Sequence, residues 1–289
     1  MEGTIKERIR RSGGEKAAFI IAFAVFAIYA LTIIFAVGWT FLQSLKSSLE
    51  FWDDWISLPK NWLFGNYITA FDKLVYNKTT FLGMFINSGW FAIGSAVLGV
   101  FMHCVTGYIF AKYKFKGKEI AFSFILFTLA VPIVGSLPSM YKIIHGLKLN
   151  DTPLFLVTAL GGFGGNFLIT YAYFKNIDWA YAEAAFIDGA GHVYVFFKIM
   201  LPLAVGPIFA LSILGFMSQW NNYETPLLFL NEYPTLASGL YYFSLDTRYN
   251  YAETEYLAGI IMSMVPVLVI VAVFGNKIMK NMTIGGLKG

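Results

Sequence analysis

The chain has 289 residues, of which 57% are hydrophobic, 18% aromatic and only 13% charged, and its formal net charge is +4. This composition lies outside the range of soluble globular proteins and predicts an integral membrane protein. The single cysteine, Cys104, excludes a disulfide scaffold.

Six apolar runs, each of about 20 residues or more, are long enough to cross a hydrocarbon core of about 30 Å as helices. The runs are 17–42, 81–111, 120–140, 153–174, 201–220 and 256–276. The predicted fold class is therefore all-α, a polytopic membrane protein with six transmembrane helices. The first run is too long for a signal peptide and lacks a small-residue cleavage site, so we expect it to remain as a helix.

Lys and Arg are distributed unevenly between the two sides of this arrangement. The termini and the loops on their side hold 14 of these residues, and the opposite segments hold seven. Because cytoplasmic loops carry the excess of positive charge, both termini are predicted to be cytoplasmic. The net charge thus reflects topology and does not indicate nucleic-acid binding. The basic run 112–118 follows a span directly, and we expect it to anchor that helix end at lipid phosphate.

This topology predicts three parts of the chain. They are a cytoplasmic N-terminus (1–16), a six-span transmembrane domain (17–280, with outer segments 43–82 and 222–255 and a cytoplasmic loop 176–200) and a cytoplasmic tail (281–289).

The spans contain almost no ionisable groups, His103 being the only one. A carrier driven by an ion gradient usually needs intramembrane acids or broken-helix carbonyl sites. The spans offer no acid, so we expect the energy for transport to come from outside the membrane. His103 fits a hydrogen-bonded interhelical residue better than a group in the transport path.

Two spans carry residues that bend or break helices. Pro132 and Pro138 interrupt the third, and four glycines between 161 and 165 interrupt the fourth. Such positions suit a helix that moves, and they suit tight helix packing equally well.

An alanine-rich polar stretch lies within the loop 176–200. Asp178 suits the N-cap or first turn of a helix over about residues 179–188, and Gly189 suits its end. The following stretch, 193–200, is amphipathic, and a docking element and an interfacial hairpin resting on lipid explain it about equally well.

The predicted helix has one stripe of small and apolar residues. Ala185 and Phe186 lie three and four residues after Ala182, with Glu183 and Ile187 beside this stripe. Small alanines with exposed apolar anchors predict a surface that docks into a groove of a partner.

Seven spaced residues in this loop resemble the EAA loop of ABC importer permeases. The pattern is Glu-Ala-Ala, three residues, Gly, nine residues, Ile, one residue, Leu-Pro, and it is carried by Glu183, Ala184, Ala185, Gly189, Ile199, Leu201 and Pro202. Over nearly its whole length the chain is similar to the second permease subunit of carbohydrate ABC importers of the maltose and oligosaccharide type. Further matching segments are 44–47, 66–67, 87–88, 107–112, 115–118, 220–221, 226–229 and 285–289.

The resemblance implies the type I importer permease fold (MetI-like) in the cytoplasmic (inner) membrane of a bacterium or archaeon. The implied partners are a second permease subunit, two ABC ATPase subunits, an extracytoplasmic sugar-binding protein and membrane lipid. This chain would then be a non-catalytic subunit without a metal or cofactor of its own, because ATP and Mg²⁺ belong to the partner ATPase.

The resemblance also implies roles for particular residues. The EAA loop would couple to the ATPase through Glu183, Ala184, Ala185, Phe186, Asp188, Gly189, Ile199, Leu201 and Pro202. The tail would contact the ATPases through Gly285, Gly286 and Lys288. At the outer end of the fifth span, Trp220, Asn221, Asn222 and Tyr223 are candidates for the substrate path, although interface anchoring also explains them.

Other functions stay open at this point. Another polar solute, such as a glycerol phosphodiester, is the alternative cargo. A stand-alone carrier or channel would need intramembrane ion ligands or a polar pore stripe, and neither stands out. A membrane-embedded enzyme is disfavoured because His103, Cys104 and the acids are not arranged as a nucleophile with its base.

Overall fold

The computed structural model describes residues 13–131, 135–245 and 251–283, with side chains as far as residue 278. Apart from one isolated bridge between Tyr76 and Thr79, the described residues form helices, turns and irregular segments. The predicted all-α class is therefore confirmed.

In chain order, the helices are α1 (Gly13–Ser44), α2 (Ser48–Asp53), α3 (Gly65–Lys73), α4 (Phe81–Lys112), α5 (Lys118–Ala130), α6 (Leu137–Gly146), a 3-10 helix (Pro153–Leu160), α7 (Gly165–Asn176), α8 (Ala180–Ile187), α9 (His192–Val195), a π-helical turn (Phe196–Met200), α10 (Leu201–Leu203), α11 (Val205–Trp220), α12 (Glu224–Phe229), α13 (Leu236–Leu245) and α14 (Glu253–Thr283).

Three of these helices, α1, α4 and α14, are long and apolar enough to cross a bilayer. Two pairs of helices joined at a bend also qualify, which raises the number of candidate spans to five among the described residues. The third predicted span falls on α5 and α6, and residues 132–134, with Pro132 among them, lie outside the described residues. The predicted third span, over residues 120–140, therefore stays a prediction.

The predicted fourth span breaks at its glycines. The 3-10 helix and α7 meet at 56°. The hydroxyl of Thr106 donates a hydrogen bond to the carbonyl of Gly162 at 2.6 Å, which satisfies a backbone acceptor in the break. A β-carbon at residue 162 would lie 2.6 Å from Cγ2 of Thr106, so this close approach to α4 requires glycine.

Contacts within the chain divide it into two compact units. The first comprises residues 1–69 and 252–261, and the second comprises 70–251 and 262–289. In the second unit α4 is the central helix, which packs against α7, α11, α13 and the 3-10 helix. The EAA loop belongs to this unit.

In the first unit, two segments that carry the family resemblance hold the predicted outer segment together. The side-chain amide of Asn66 donates to the carbonyls of Ser44 and Lys46, both at 2.8 Å. The hydroxyls of Ser44 and Tyr67 are hydrogen-bonded at 2.8 Å. Residues 44–47 and 66–67 are thus parts of one hydrogen-bonded cluster.

Lys46 is fully buried in this segment, and its charge is satisfied locally. Its ammonium group donates to the carbonyl of Asp54 at 2.5 Å and to the hydroxyl of Ser57 at 3.3 Å. The carboxylate of Asp54 accepts hydrogen bonds from the backbone N–H groups of Ser57 and Ile56, and these bonds lower its pKa.

The close packing of α4 on α7 depends on Gly107. A β-carbon there would lie 2.9 Å from the backbone nitrogen of Tyr171 and 3.0 Å from Cβ of Thr170. We expect Gly107→Ala to push the two helices apart and to destabilise the protein by about 1–3 kcal/mol, as overpacking does. The midpoint of thermal unfolding in detergent should fall by several degrees.

Gly89→Ala is the matched control on the same helix, because nothing lies within 4 Å of a β-carbon at that position. Equal midpoints for the two variants would contradict the packing role of Gly107.

Candidate functional site

The helix α8 is closed at both ends by its own sequence. A carboxylate oxygen of Asp178 accepts a hydrogen bond from the N–H of Ala180, the first residue of α8, at 3.0 Å. The helix begins within one residue of the predicted start, although Trp179 is its N-cap and Asp178 precedes it. At the other end, Gly189 has a φ of +83°, a conformation that favours glycine. The N–H of Gly189 donates to the carbonyl of Phe186 at 3.0 Å, and the N–H of Ala190 donates to that of Ala185 at 2.9 Å. These two bonds form a Schellman motif, so the helix ends sharply.

One face of α8 is open to a partner. Tyr181 and Ile187 are 55% and 85% exposed. The other exposed residues on or next to this face are Glu183, Ala184, Asp188 and Gly189. An acidic group and large apolar side chains therefore lie side by side on a short, rigid helix.

The predicted docking stripe is wrong. Ala182 is fully buried in a core cluster of this unit, and Ala185 and Phe186 are half-buried against the same cluster. Because α8 has apolar residues on every side, packing decides which of them face inward. The exposed stripe is the neighbouring one.

A lysine and an aromatic cluster connect α8 to the end of α4. The ammonium group of Lys112 donates a hydrogen bond to the carbonyl of Ile177, which lies between α7 and α8. It also lies 6.0 Å from the ring centroid of Trp179. The expectation that this lysine anchors at lipid phosphate is thus wrong, since the chain itself supplies the acceptor.

Four rings, which we call the aromatic clamp, surround this junction: Tyr113, Trp179, Phe186 and His192. Neighbouring centroids are 4.8 to 6.0 Å apart, and each ring contacts two others. The hydroxyl of Tyr113 and Nδ1 of His192 are hydrogen-bonded at 2.9 Å. Aromatic pairs in such edge-on arrangements add about 0.5–1.5 kcal/mol each beyond their buried area. The clamp therefore links α8 to the end of α4.

The second half of the EAA loop packs under α8. Ile199 and Leu201 are half-buried against the same core cluster as Ala182, and Pro202 is exposed in the first turn of α10. The segment His192–Leu203 contains the π-helical turn and meets α11 at 79°. The helix α8 and the helix α11 are thus joined by a continuous packed segment.

A cavity of about 580 Å³ lies beside the C-terminal end of α8. Among its lining residues are Ala185, Asp188, Gly189, Tyr194, Lys198 and Ile199. Four of these belong to the predicted coupling set, so the folded loop brings both halves of the motif to one concave surface.

Comparison with known families gives this loop its context. Residues 103–279 match the family described as "Binding-protein-dependent transport system inner membrane component". The chain belongs to this permease family. It is therefore the non-catalytic permease subunit of a binding-protein-dependent ABC importer, and a multi-pass protein of the inner membrane.

The permease is similar to curated relatives along nearly its whole length. The arabinooligosaccharides transport system permease protein AraQ of Halalkalibacterium halodurans is 30% identical over 271 residues, covering 91% of this chain and 94% of the relative. The diacetylchitobiose uptake system permease protein NgcG of Streptomyces coelicolor is 25% identical over 269 residues, covering 92% and 87%.

A solved structure shares the fold. It is a bacterial ABC transporter involved in the import of the acidic polysaccharide alginate, and the match covers 92% of this permease and 98% of that chain. The TM-score is 0.73 at 23% sequence identity. This similarity confirms the predicted type I importer permease fold.

The four candidates for the substrate path have different environments in the permease. Trp220 is buried, and its ring N–H donates to the carbonyl of Ser263 at 3.0 Å, so it packs α11 against α14. Asn221 donates to the carbonyl of Met217 in its own helix. Asn222 accepts a hydrogen bond from the N–H of Thr225 and starts α12. Tyr223 lines a cavity.

Two further predictions concern the tail and the histidine of the second span. Gly285, Gly286 and Lys288 lie outside the described residues. His103 donates a hydrogen bond from Nδ1 to the carbonyl of Gly99 in its own helix, at 2.5 Å. The histidine is thus hydrogen-bonded as predicted, although its partner lies in the same helix.

Sequence reasoning missed Lys112, Tyr113 and His192 as parts of the site. Lys112 is 65 residues from its partner Ile177 in the sequence, and Tyr113 is 79 residues from His192. No local spacing therefore reveals these contacts. The signal that was present is the density of aromatic residues in and beside the loop, which is typical of a loop that packs on other rings.

Proposed function

We propose that this permease imports an oligosaccharide together with a second permease subunit, two ABC ATPase subunits and an extracytoplasmic sugar-binding protein. Both termini and the EAA loop face the cytoplasm in this proposal. ATP and Mg²⁺ bind to the ATPases. The tail 281–289 contacts the ATPases, and residues 43–82 and 222–255 lie outside the membrane.

The observation that carries this proposal is the geometry of α8. Its exposed face combines Glu183 with Tyr181 and Ile187, while its opposite face is fixed to α4 and to the segment leading into α11. A helix held in this way moves as a rigid element when a partner grips it. Movement of the ATPase pair would then be passed to the central helices of the permease, since rigid-body shifts are a common way of switching states.

Such coupling has a thermodynamic requirement. A ligand bound to another subunit can shift the permease between two conformations only through its different affinity for them, and docking through a stiff helix transmits that difference. The cargo class is supported by the two curated relatives, whose names assign them to oligosaccharide uptake.

The test is made on the complex from its native membrane. Gentle extraction through a tag on this chain should bring down an ATPase and a second permease of similar size. In proteoliposomes with the purified binding protein and ATP, the complex should take up a radiolabelled sugar from a panel of arabinotriose, diacetylchitobiose and a further neutral trisaccharide.

Two results would overturn the proposal. Uptake by this polypeptide alone, without any other subunit, would mean that it is an independent carrier. Uptake of glycerophosphocholine but of no sugar in the panel would assign the cargo to the glycerol phosphodiesters.

A further inference from the structure

A second cavity lies at the opposite end of α11 from the EAA loop. The 16 residues of α11 separate the two ends by about 24 Å. The cavity has a volume of about 360 Å³ and lies between α6, α12 and α13, within the second unit. Leu137 and Met140 of α6 and Leu228 of α12 form apolar parts of its wall, and all three are exposed.

Two tyrosines on the other side of this cavity stack on each other. The rings of Tyr223 and Tyr241 have centroids 4.3 Å apart and planes inclined by 22°. Both side chains are half-buried, and neither hydroxyl has a hydrogen-bond partner among the described residues. The pair is thus an aromatic surface with two hydroxyls at its edges that no described residue satisfies.

The side chain of Asn222 fixes the turn that carries Tyr223. Its side-chain oxygen accepts from the N–H of Thr225 at 3.1 Å, and its amide group donates to the hydroxyl of Thr225 at 3.0 Å and to Gln219 at 3.1 Å. These bonds fix the turn between α11 and α12. Tyr223 and Glu224 therefore project from a defined turn, and Asn222 is a positioning residue.

Among the described residues, the lining also contains an acidic group beside Thr225. Glu224 is exposed, and the lining contains no lysine, arginine or histidine among the described residues. A carboxylate accepts hydrogen bonds from hydroxyl groups and repels an anionic solute. The cavity thus combines aromatic and apolar surfaces with hydroxyl groups and a negatively charged hydrogen-bond acceptor, the carboxylate of Glu224.

We propose that this cavity contacts the oligosaccharide as it enters the membrane path, and that it favours neutral sugar rings. The C–H faces of a ring pack on the tyrosine pair and the apolar wall, and its hydroxyls bond to the two tyrosine hydroxyls and to Glu224. Ligand pockets have volumes of about 300–1,000 Å³, and this cavity lies near the lower limit. It therefore holds a few sugar units and not a whole long oligosaccharide. The inference rests on the proposed function, for which it names a contact site within this subunit.

The experiment compares variants in the reconstituted complex, using whichever panel sugar the wild type imports. Tyr223→Phe and Tyr241→Phe should each lower the sugar imported per ATP hydrolysed about fivefold, as expected for one lost hydrogen bond. Tyr223→Ala and Tyr241→Ala should lower it about tenfold or more, because the stacking surface is lost as well. Stimulation of ATP hydrolysis by the sugar-loaded binding protein should stay within about twofold of wild type, since the EAA loop is untouched.

Tyr29→Phe is the matched control, because Tyr29 lies on α1, is 64% exposed and does not line the cavity. Unchanged sugar import per ATP in all four cavity variants would overturn the inference, and so would a parallel loss of ATPase stimulation in the Phe variants. The proposed function fails in a different way, namely when the wild-type complex imports none of the sugars.

Discussion

Glu183→Lys is expected to abolish ATP-dependent uptake while the chain still inserts and folds. Glu183 is exposed in the first turn of α8, so its replacement leaves no buried group without a partner. The direct effect on the helix is small, because a charge at a helix N-terminus contributes about 0.3–1 kcal/mol. The effect on docking is large, since a reversed charge in a close polar contact costs about 2–5 kcal/mol or more.

Because the substitution weakens docking far more than it weakens the helix, uptake in membrane vesicles should fall about 100-fold while the amount of inserted permease stays unchanged. Glu119→Lys is the matched control, because Glu119 is also an exposed acid in the first turn of a helix, α5. A similar loss in both variants would indicate a general charge effect, and full uptake by Glu183→Lys would show that α8 does not dock through this face.

The local chemistry of α8 could be predicted from its sequence, because each decision depends on neighbouring residues. Asp178 starts the helix through its own carboxylate, and Gly189 ends it through its left-handed backbone. The four glycines between 161 and 165 similarly predicted local unwinding or close helix packing in the fourth span. In these cases the residue type alone restricts the backbone or supplies the capping group.

Which face of α8 is buried and which is exposed could not be predicted in the same way. Hydrophobic periodicity identifies an inward face only where polar residues mark the other one. Tyr181, Ala184 and Ile187 form an apolar stripe of α8 as plausible as that of Ala182, Ala185 and Phe186. The fully buried Ala182 shows which stripe the core of this unit selects.

Clusters of aromatic and amide residues were ambiguous for a related reason. Trp220, Asn221, Asn222 and Tyr223 are adjacent in sequence, yet one packs against α14, two bond to neighbouring turns and one lines a cavity. Tyr241, which completes that cavity, comes from α13. The contacts of Trp220 with Ser263 and of Tyr223 with Tyr241 join distant parts of the chain, so residue type and local spacing do not reveal them.

The contact between Lys112 and Ile177 should be essential for coupling, although Lys112 lies outside the EAA motif. The lysine ends α4 and donates to the carbonyl of Ile177, in the short connection between α7 and α8. Hydrogen bonds to charged groups contribute about 1.5–3 kcal/mol, so Lys112→Met should free the start of α8 from α4. The apolar stem of methionine keeps the packing against Trp179, and the variant therefore removes the hydrogen bond with little change in volume.

The expected result is an uncoupled transporter. The ATPase should still copurify with Lys112→Met, because the exposed face of α8 is intact, while the sugar imported per ATP hydrolysed should fall about tenfold or more. Lys116→Met is the matched control, since Lys116 is an exposed lysine in the same basic run. If Lys112→Met loses no more import per ATP than Lys116→Met, then the lysine is dispensable and the aromatic clamp alone transmits the movement of α8 to α4.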